Sequence, residues 1–298
     1  MSKILLTGSS GFIGSNLQKH FQNLICLDKE SYPDYIEPSN IYIQDDIRTT
    51  NVISEYKPDV VIHLASLAGV RPSIEDPVAY VQNNIEGFVH TMNECVKNNV
   101  KTVIYASSSS VYGLSEIIPF KEDDPLGSAN SPYAVSKQCM EIYAKMYNQL
   151  YGINTIGLRF FTVYGENGRK DMAPYIFLNN IHNKEHISIF GDGTSMRDYT
   201  YVGDICQGIK ACLDKTGNKI YNLGNNKPIS LSDFISVCEE VVGKKAIIKY
   251  KNTQKGDVPF TCADITLAQK ELGYDPKTQL KEGLKKMYDW IVIEKKNN

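Results

Sequence analysis

Lys3-Ile4-Leu5-Leu6-Thr7-Gly8-Ser9-Ser10-Gly11-Phe12-Ile13-Gly14 is the stretch that decides the fold. Its first half is apolar at consecutive positions, as in a strand covered on both faces of a parallel sheet. Glycine at 8 permits a tight turn, at 11 lets backbone N–H groups approach a pyrophosphate, and at 14 lets helix and strand pack closely. The helix opening there would present the positive end of its dipole to the phosphates. Asp28 lies 20 residues beyond Gly8, at the end of a second apolar run. A carboxylate there accepts hydrogen bonds from an adenosine ribose and repels a 2′-phosphate, which favours NAD over NADP. Asp46 and Ile47, just after a third run, are placed to flank the adenine.

Working outward, strands are expected at Lys3–Thr7, Asn23–Asp28, Ile41–Gln44, Asp59–Ala65, Lys101–Ser107 and Asn154–Phe161. Helices are expected at Gly11–Phe21, Thr50–Tyr56, Pro77–Asn98 and Pro132–Tyr151, then at Ala173–His182, Val202–Leu213, Ser230–Val242, Ile265–Leu272 and Leu280–Lys295. Strand–helix repetition of this kind predicts an α/β protein, a Rossmann-type doubly wound parallel sheet. After Tyr164 the order loosens, which suggests a smaller mixed α/β lobe. The reading places a cofactor domain at residues 1–165, with segments at about 199–224 returning to it, and a substrate lobe at 166–298.

Composition narrows the function. The 298 residues carry 32 Lys+Arg against 34 Asp+Glu, a net charge of -2, which offers no cationic field for nucleic acid. No apolar run approaches the roughly 20 residues of a membrane helix. The start, MSKILLTGSS, lacks the pattern of a secretion signal, and seven scattered cysteines without a CxxC suit free thiols; both point to the cytoplasm. No metal is expected: His182 and His186 have helical spacing but no HExxH pattern and no third ligand. Of the 32 basic residues only five are Arg: Arg48, Arg71, Arg159, Arg169 and Arg197. Arginine's rigid fork is hard to replace where a carboxylate or phosphate must be gripped, so these five merit attention. Arg48, after Asp45-Asp46, reads as structural, and Arg159, inside a strand, as half of an internal pair.

Tyr133 and Lys137 are four apart on a predicted helix and share one face. A free tyrosine, with a pKa of about 10, is a poor base at neutral pH; a nearby ammonium stabilises the phenolate. A serine of the run Ser107–Ser110, about 25 residues earlier, can bond the same reacting oxygen. Alone, a YxxxK spacing is commonplace; the serine run and the glycine turn give it weight.

The glycine turn, Tyr105-Ala106-Ser107-Ser108-Ser109-Ser110-Val111-Tyr112-Gly113 and Tyr133-Ala134-Val135-Ser136-Lys137 together resemble the extended short-chain dehydrogenase/reductase family. Within it the chain is similar, over nearly its whole length, to the nucleotide-sugar 4-epimerases. The resemblance implies a catalytic triad of Ser108, Tyr133 and Lys137. It implies an NAD site from Gly8, Gly11, Phe12, Ile13, Gly14, Asp28, Lys29, Asp46, Ile47, Leu64, Ala65, Asn84, Ser107, Tyr133, Lys137 and Phe160. It also implies oxidation of a hexose at C4 to a 4-keto sugar. Related 4,6-dehydratases carry an Asp-Glu pair after the catalytic Ser/Thr, and decarboxylating relatives carry Glu at the second position. Ser109 and Ser110 stand there in this chain, leaving hydride return to the opposite face, which is epimerisation.

Three further stretches resemble the UDP-glucuronate 4-epimerases: Ala68-Gly69-Val70-Arg71, the segment from Arg159 through Tyr164-Gly165 to Ala173, and Gly256-Asp257-Val258-Pro259-Phe260-Thr261. Oxidising a glucuronate at C4 gives a β-keto acid prone to lose CO2, so an epimerase must hold that carboxylate still. Ser109, Ser110 and Thr162 can donate hydrogen bonds to it, and Arg169 charge-assisted ones. By the same resemblance Arg197 and Asp257 contact the UDP moiety, with Arg71 also assigned to substrate. Two departures stand out: Lys255 precedes Gly256-Asp257 where many relatives have arginine, and Lys170 follows Arg169 where proline is expected. The implied protein is an NAD-dependent UDP-sugar 4-epimerase that converts UDP-glucuronate to UDP-galacturonate through a transient 4-keto sugar with the NADH retained. Alternatives are a 4-epimerase of neutral UDP-hexose or UDP-N-acetylhexosamine, a UDP-glucuronate decarboxylase, and a catalytically dead NAD-binding regulator. The resemblance also implies a homodimer paired through Pro77–Asn98 and Pro132–Tyr151.

Overall fold

The computed structural model describes residues 2–31, 37–252 and 258–297. Six strands run β1 (Ile4–Thr7), β2 (Ile25–Asp28), β3 (Ile41–Gln44), β4 (Val60–His63), β5 (Thr102–Ser108) and β6 (Asn154–Phe160). Seven shorter or later ones follow among the described residues: β7 (Thr162–Tyr164), β8 (His186–Phe190), β9 (Met196–Arg197), β10 (Tyr199–Tyr201), β11 (Asn218–Leu223), β12 (Ile229–Ser230) and β13 (Ile247–Lys251). The helices are α1 (Phe12–Leu17), α2 (Val52–Tyr56), α3 (Val70–Glu75), α4 (Pro77–Tyr80), α5 (Gly87–Lys97), α6 (Pro132–Tyr151), α7 (Ala173–Asn183), α8 (Val202–Lys210), α9 (Leu231–Val242), α10 (Thr266–Leu272) and α11 (Leu280–Asn297).

The main sheet is seven-stranded and parallel, in the order β11-β6-β5-β4-β1-β2-β3. This is a Rossmann-type sheet, whose order reverses between β1 and β4 and so opens a crevice at the strands' carboxyl ends. One apolar cluster covers each face. Leu6, Cys26, Ile62, Ile104 and Leu158 point to one side, with α8 and α10; Leu5, Leu27, Val61, Val103 and Tyr105 point to the other, with α5 and α6. The alternation along each strand reflects its period of two, and burial of both sets explains the continuous apolar runs.

A third cluster forms a separate core from α7, α9, α11 and β8, built on Phe177, Leu178, Ile187, Phe234, Leu284 and Ile291, with β13 paired to the edge of β8. The buried carboxylate of Asp198 stitches this region to the sheet. It accepts from the backbone N–H groups of Asn225 (2.7 Å), Asn226 (3.0 Å) and Ala263 (2.9 Å), so its burial is compensated by hydrogen bonds.

The segment Pro77–Asn98, expected as one helix, is three pieces. A π-helical turn at Val81–Glu86 separates α4 from α5. Its buried Asn84 accepts from Leu67 N–H (2.7 Å) and donates to the Leu67 carbonyl (3.0 Å) and to Ser136 Oγ (3.0 Å). Widening the helix turns that amide inward to hold the loop after β4, a use typical of π-bulges. The helix expected at Gly11–Phe21 leaves the α form at Leu17 and closes in a 3-10 turn at Gln18–His20. Among the described residues no helix is long and apolar enough to cross a membrane.

Candidate active site

The glycine turn is built as its spacing demands. Gly8 sits at φ 71°, and a Cβ there would lie 2.7 Å from the Ala65 nitrogen. A Cβ on Gly14 would overlap the Gly8 carbonyl oxygen. No side chain caps α1, whose N-cap is Gly11, so its first-turn N–H groups stay available for an anion. Asp28, at the end of β2, accepts from Ser10 N–H at 2.8 Å and from Glu30 N–H at 3.1 Å, which fixes the carboxylate beside the turn. A bare cradle with a carboxylate at its far edge fits a dinucleotide pyrophosphate and ribose. Leu64 and Ala65 form the opposite wall, tied back by Leu64 N–H to the Thr7 carbonyl (3.1 Å) and Ala65 N–H to Thr7 Oγ1 (3.3 Å). Phe12 and Ile13 pack against the core, Phe160 is buried at the end of β6, and the exposed Lys29 comes directly after Asp28.

Asp46 and Ile47 are held differently. Arg48 grips Asp46 through Nε (3.0 Å) and Nη2 (2.6 Å), keeping its carboxyl low, at about 2. Ile47 is buried in the core beside Gly87.

Ser108, Tyr133 and Lys137 converge at the carboxyl end of β5. Helix α6 begins cleanly: Ser131 Oγ accepts from Ala134 N–H at 3.1 Å and Pro132 sits in the first turn. That start fixes the azimuth of Tyr133, which hydrogen-bonds Ser108. Burial pushes the Tyr133 phenol up, while the Ser108 hydrogen bond and the positive charge of Arg169 pull it down. One turn on, Lys137 is 1% exposed and donates to the Ala106 carbonyl (2.7 Å) and Ser66 Oγ (2.9 Å). Its ammonium lies 5.8 Å from the centre of the Tyr133 ring. Burial lowers its pKa to about 7, opposed by the charge of Glu141. A tyrosine with a cation and a serine beside it is an arrangement that can exchange a proton with a hydroxyl or carbonyl.

Arg169 brings charge to the same place. Its guanidinium packs against Gly69, whose φ is 114°; a Cβ there would lie 2.9 Å from Nη2. It forms a two-pronged pair with Asp171, at 3.0 and 2.5 Å. Tyr80 donates to the Ala68 carbonyl (3.0 Å) and stands edge-on to Tyr133, ring centres 6.1 Å apart. Ser109 and Ser110 are half-buried, and Ser110 N–H donates to Ser108 Oγ at 3.1 Å. Thr162, half-buried, begins β7 with its N–H on the Asp198 carbonyl (3.1 Å). Arg71, on α3, lies over the Phe190 ring at 5.2 Å, and Arg197 donates to the Met196 carbonyl at 2.9 Å. Asp257 lies outside the described residues.

Three contributors have no place among the residues expected from the sequence, Ser66, Tyr80 and Glu141, while Gly69 is expected only as part of the Ala68–Arg71 stretch. Glu141 alone carries a signal, being one further helical turn beyond Lys137. Ser107 donates to Glu141 Oε1 at 2.5 Å, and Arg159 meets the same carboxylate through Nε (3.0 Å) and Nη2 (2.9 Å).

The crevice between β1 and β4, the glycine cradle and the Ser-Tyr-Lys cluster define the class. The chain belongs to the NAD dependent epimerase/dehydratase family, which matches residues 4–224. UDP-glucuronate 4-epimerase 4 of Arabidopsis thaliana is 40% identical, over 97% of this chain and 75% of that protein. The crystal structure of UDP-glucuronic acid 4-epimerase from Bacillus cereus in complex with UDP-glucuronic acid and NAD superposes with a TM-score of 0.92. It is 32% identical, and the match covers 98% of this chain and 99% of that one. UDP-glucose 4-epimerase from Thermotoga maritima with UDP-glucose gives a TM-score of 0.93 at 28% identity, over 98% and 99% of the two chains.

Proposed function

We propose that the protein is an NAD-dependent UDP-sugar 4-epimerase that interconverts UDP-glucuronate and UDP-galacturonate. The observation that carries this reading is the convergence of Ser108, Tyr133 and Lys137 at one strand end, with Arg169 charged close enough to act on the Tyr133 phenol. When bound at the glycine cradle, NAD supplies the means to remove a hydride from C4 and return it to the opposite face. Tyr133 then takes the proton of the C4 hydroxyl and later gives one back to the same oxygen. Ser108 holds that oxygen by a hydrogen bond. Lys137 keeps a positive charge beside the phenolate, lowering the cost of forming it. Between the two proton transfers the sugar is a 4-ketone that turns over within the pocket.

Arg169, Thr162, Ser109 and Ser110 are assigned to the uronate carboxylate, and Arg71, Arg197 and Asp257 to the UDP moiety. Holding the carboxylate away from the perpendicular position suppresses loss of CO2. Ser109 and Ser110 offer no carboxylic acid for elimination chemistry, which separates this reading from the dehydratases. A second reading, epimerisation of a neutral UDP-hexose, is favoured by one feature: Arg169 already has a carboxylate partner in Asp171. Incubation with UDP-glucuronate, UDP-glucose and UDP-N-acetylglucosamine in turn, with NMR of the products, tests both. Inversion at C4 of the uronate with C6 retained is the expected result. Conversion of the neutral sugars alone, or release of UDP-pentose, would replace the substrate assignment.

Residues 1–165, with β11 returning, are assigned to cofactor and the remainder mainly to the UDP-sugar. A homodimer fits the exposed apolar side chains Val78, Val81, Val135, Ile142 and Leu150, which lie on α4, the π-turn and α6. These are large apolar residues in positions where a monomer gains nothing by exposing them. All seven cysteines are free and six are buried, in keeping with a reducing cytoplasm.

A further inference from the structure

Behind the triad lies a buried charged network that none of the proposed chemistry uses. Glu141 sits on α6 one turn after Lys137, and its side chain is 11% exposed. From β6, Arg159, 5% exposed, meets it with two N–H groups. From β5, Ser107 donates to it at 2.5 Å, and the buried Tyr105 feels its charge. Arg159 in turn donates to the Glu122 carbonyl (3.2 Å) and lies over the Tyr112 ring at 4.7 Å. The Glu122 carboxylate, raised by burial, accepts from Asn222 N–H at 2.8 Å. Lys137 faces Ser66 and His63 from the β4 side, Ala106 from β5, and Tyr133 and Glu141 along its own helix. His63 stays neutral, because burial and the Lys137 charge hold it down at about 3. Glu141 is therefore the anion whose field opposes the loss of the Lys137 proton.

We propose that Glu141 is a positioning residue of the reaction. Locked by Arg159, it clasps Ser107 and thereby fixes the adjacent Ser108 against Tyr133, and it supplies the negative charge that keeps the Lys137 ammonium in place. The geometry is economical. Tyr133, Lys137 and Glu141 fall at successive turns of α6, while Ser107 and Ser108 are neighbours on β5. A single carboxylate thus sets both the distance between helix and strand and the charge beside the phenolate. An ion pair kept only for stability has no need of the Ser107 hydroxyl, and buried pairs are weak stabilisers in any case.

This rests on the assignment of Ser108, Tyr133 and Lys137 as the triad, and the experiment separates the two. The kcat–pH profile with UDP-glucuronate is measured for the wild type and for Glu141→Gln, Glu141→Asp, Ser107→Ala and Tyr133→Phe, together with thermal melting. Glu141→Gln should lower kcat at neutral pH by about 10-fold or more and move the alkaline limb down by about one pH unit, the scale set by one nearby buried charge. Glu141→Asp should restore the position of that limb. Ser107→Ala leaves the charge pair intact. It should lower kcat roughly 10-fold with KM and the limb unmoved, as a small misplacement of a catalytic group does. If Glu141→Gln is not recovered folded, Ser107→Ala decides: an unchanged kcat overturns the proposal. A Glu141→Gln enzyme that melts earlier but keeps its kcat and pH limb overturns it as well. Turnover surviving in Tyr133→Phe removes the triad and the Glu141 role together, whereas an unmoved limb with Tyr133 still essential removes only the latter.

Discussion

The side-chain amide of Asn16 reaches the carbonyl of Glu166 at 2.8 Å across 150 positions of sequence. One residue along on each side, Asn167 donates to Ser15 Oγ at 3.2 Å. These two bonds fasten helix α1, which starts at the glycine cradle, to the loop that carries Arg169. Asn16→Ala should therefore loosen the Arg169 loop from helix α1. KM for the UDP-sugar is expected to rise several-fold with little change in kcat, and stability to fall by about 1 kcal/mol. Steady-state kinetics and a melting curve read both.

Tyr133→Phe removes one hydroxyl from a half-buried ring and leaves its packing against Tyr80 intact. Loss of a general acid–base group costs about 100- to 10,000-fold. Turnover should fall within that range while the protein keeps its fold and its bound dinucleotide, measured by absorbance after denaturation.

Lys137→Met should abolish turnover and yet stabilise the fold at neutral and acid pH. The folded-state pKa of Lys137, about 7, is below its unfolded value, so the unfolded chain binds the extra proton between the two. Stability consequently rises with pH across that window, and the penalty of burying the ammonium is fully felt below it. The gain from Lys137→Met is expected to be on the order of 2 kcal/mol at pH 6 and to shrink as the pH climbs from about 7 toward about 10. Denaturant titrations of both proteins at several pH values give the comparison; a gain that grew with pH would contradict the assignment.

Arg169→Ala separates the acidic from the neutral substrate. A charge-assisted hydrogen bond contributes about 1.5–3 kcal/mol, so kcat/KM for UDP-glucuronate should fall about 10- to 100-fold. UDP-glucose, lacking the carboxylate, should lose far less. Release of CO2 from the uronate should become detectable, because its acid group is no longer held.

Ile142→Glu places a charge in the middle of the exposed stripe of α6, on the side away from Lys137. Sedimentation should change from dimer to monomer at micromolar concentration. An unchanged sedimentation coefficient would move the interface elsewhere.

Much of this is legible in the sequence because local chemistry and global fold agree. Helix α6 can be read residue for residue: Ser131 and Pro132 mark its start and Gly152, at φ 71°, its end. Strands β1 to β6 fall within about two residues of their expected bounds, since burial on both faces writes an apolar run into all but β3, the half-exposed edge strand. The features that stay hidden need tertiary partners. The π-turn exists because Asn84 reaches the loop at Leu67, and no local propensity encodes that reach. Helix α3 is not evident in Val70-Arg71-Pro72, which reads as a loop after Gly69. The β8–β13 pair joins segments about 60 residues apart, and β13 is exposed throughout, without the alternation that marks a half-buried strand. At the site, Ser108, Tyr133 and Lys137 are marked by their spacing, whereas Glu141 gains meaning only when Arg159 and Ser107 arrive from two strands.

Strand β11 lies at the edge of the seven-stranded sheet, yet it is made only after the chain has passed through the first part of the other core. During synthesis, β6 has no outer neighbour until Leu223 has left the ribosome. The seven-stranded sheet consequently cannot be completed before α7 and β8 have been made. A truncation near residue 165 would leave β6 as a raw, hydrogen-bond-hungry margin in place of a finished sheet.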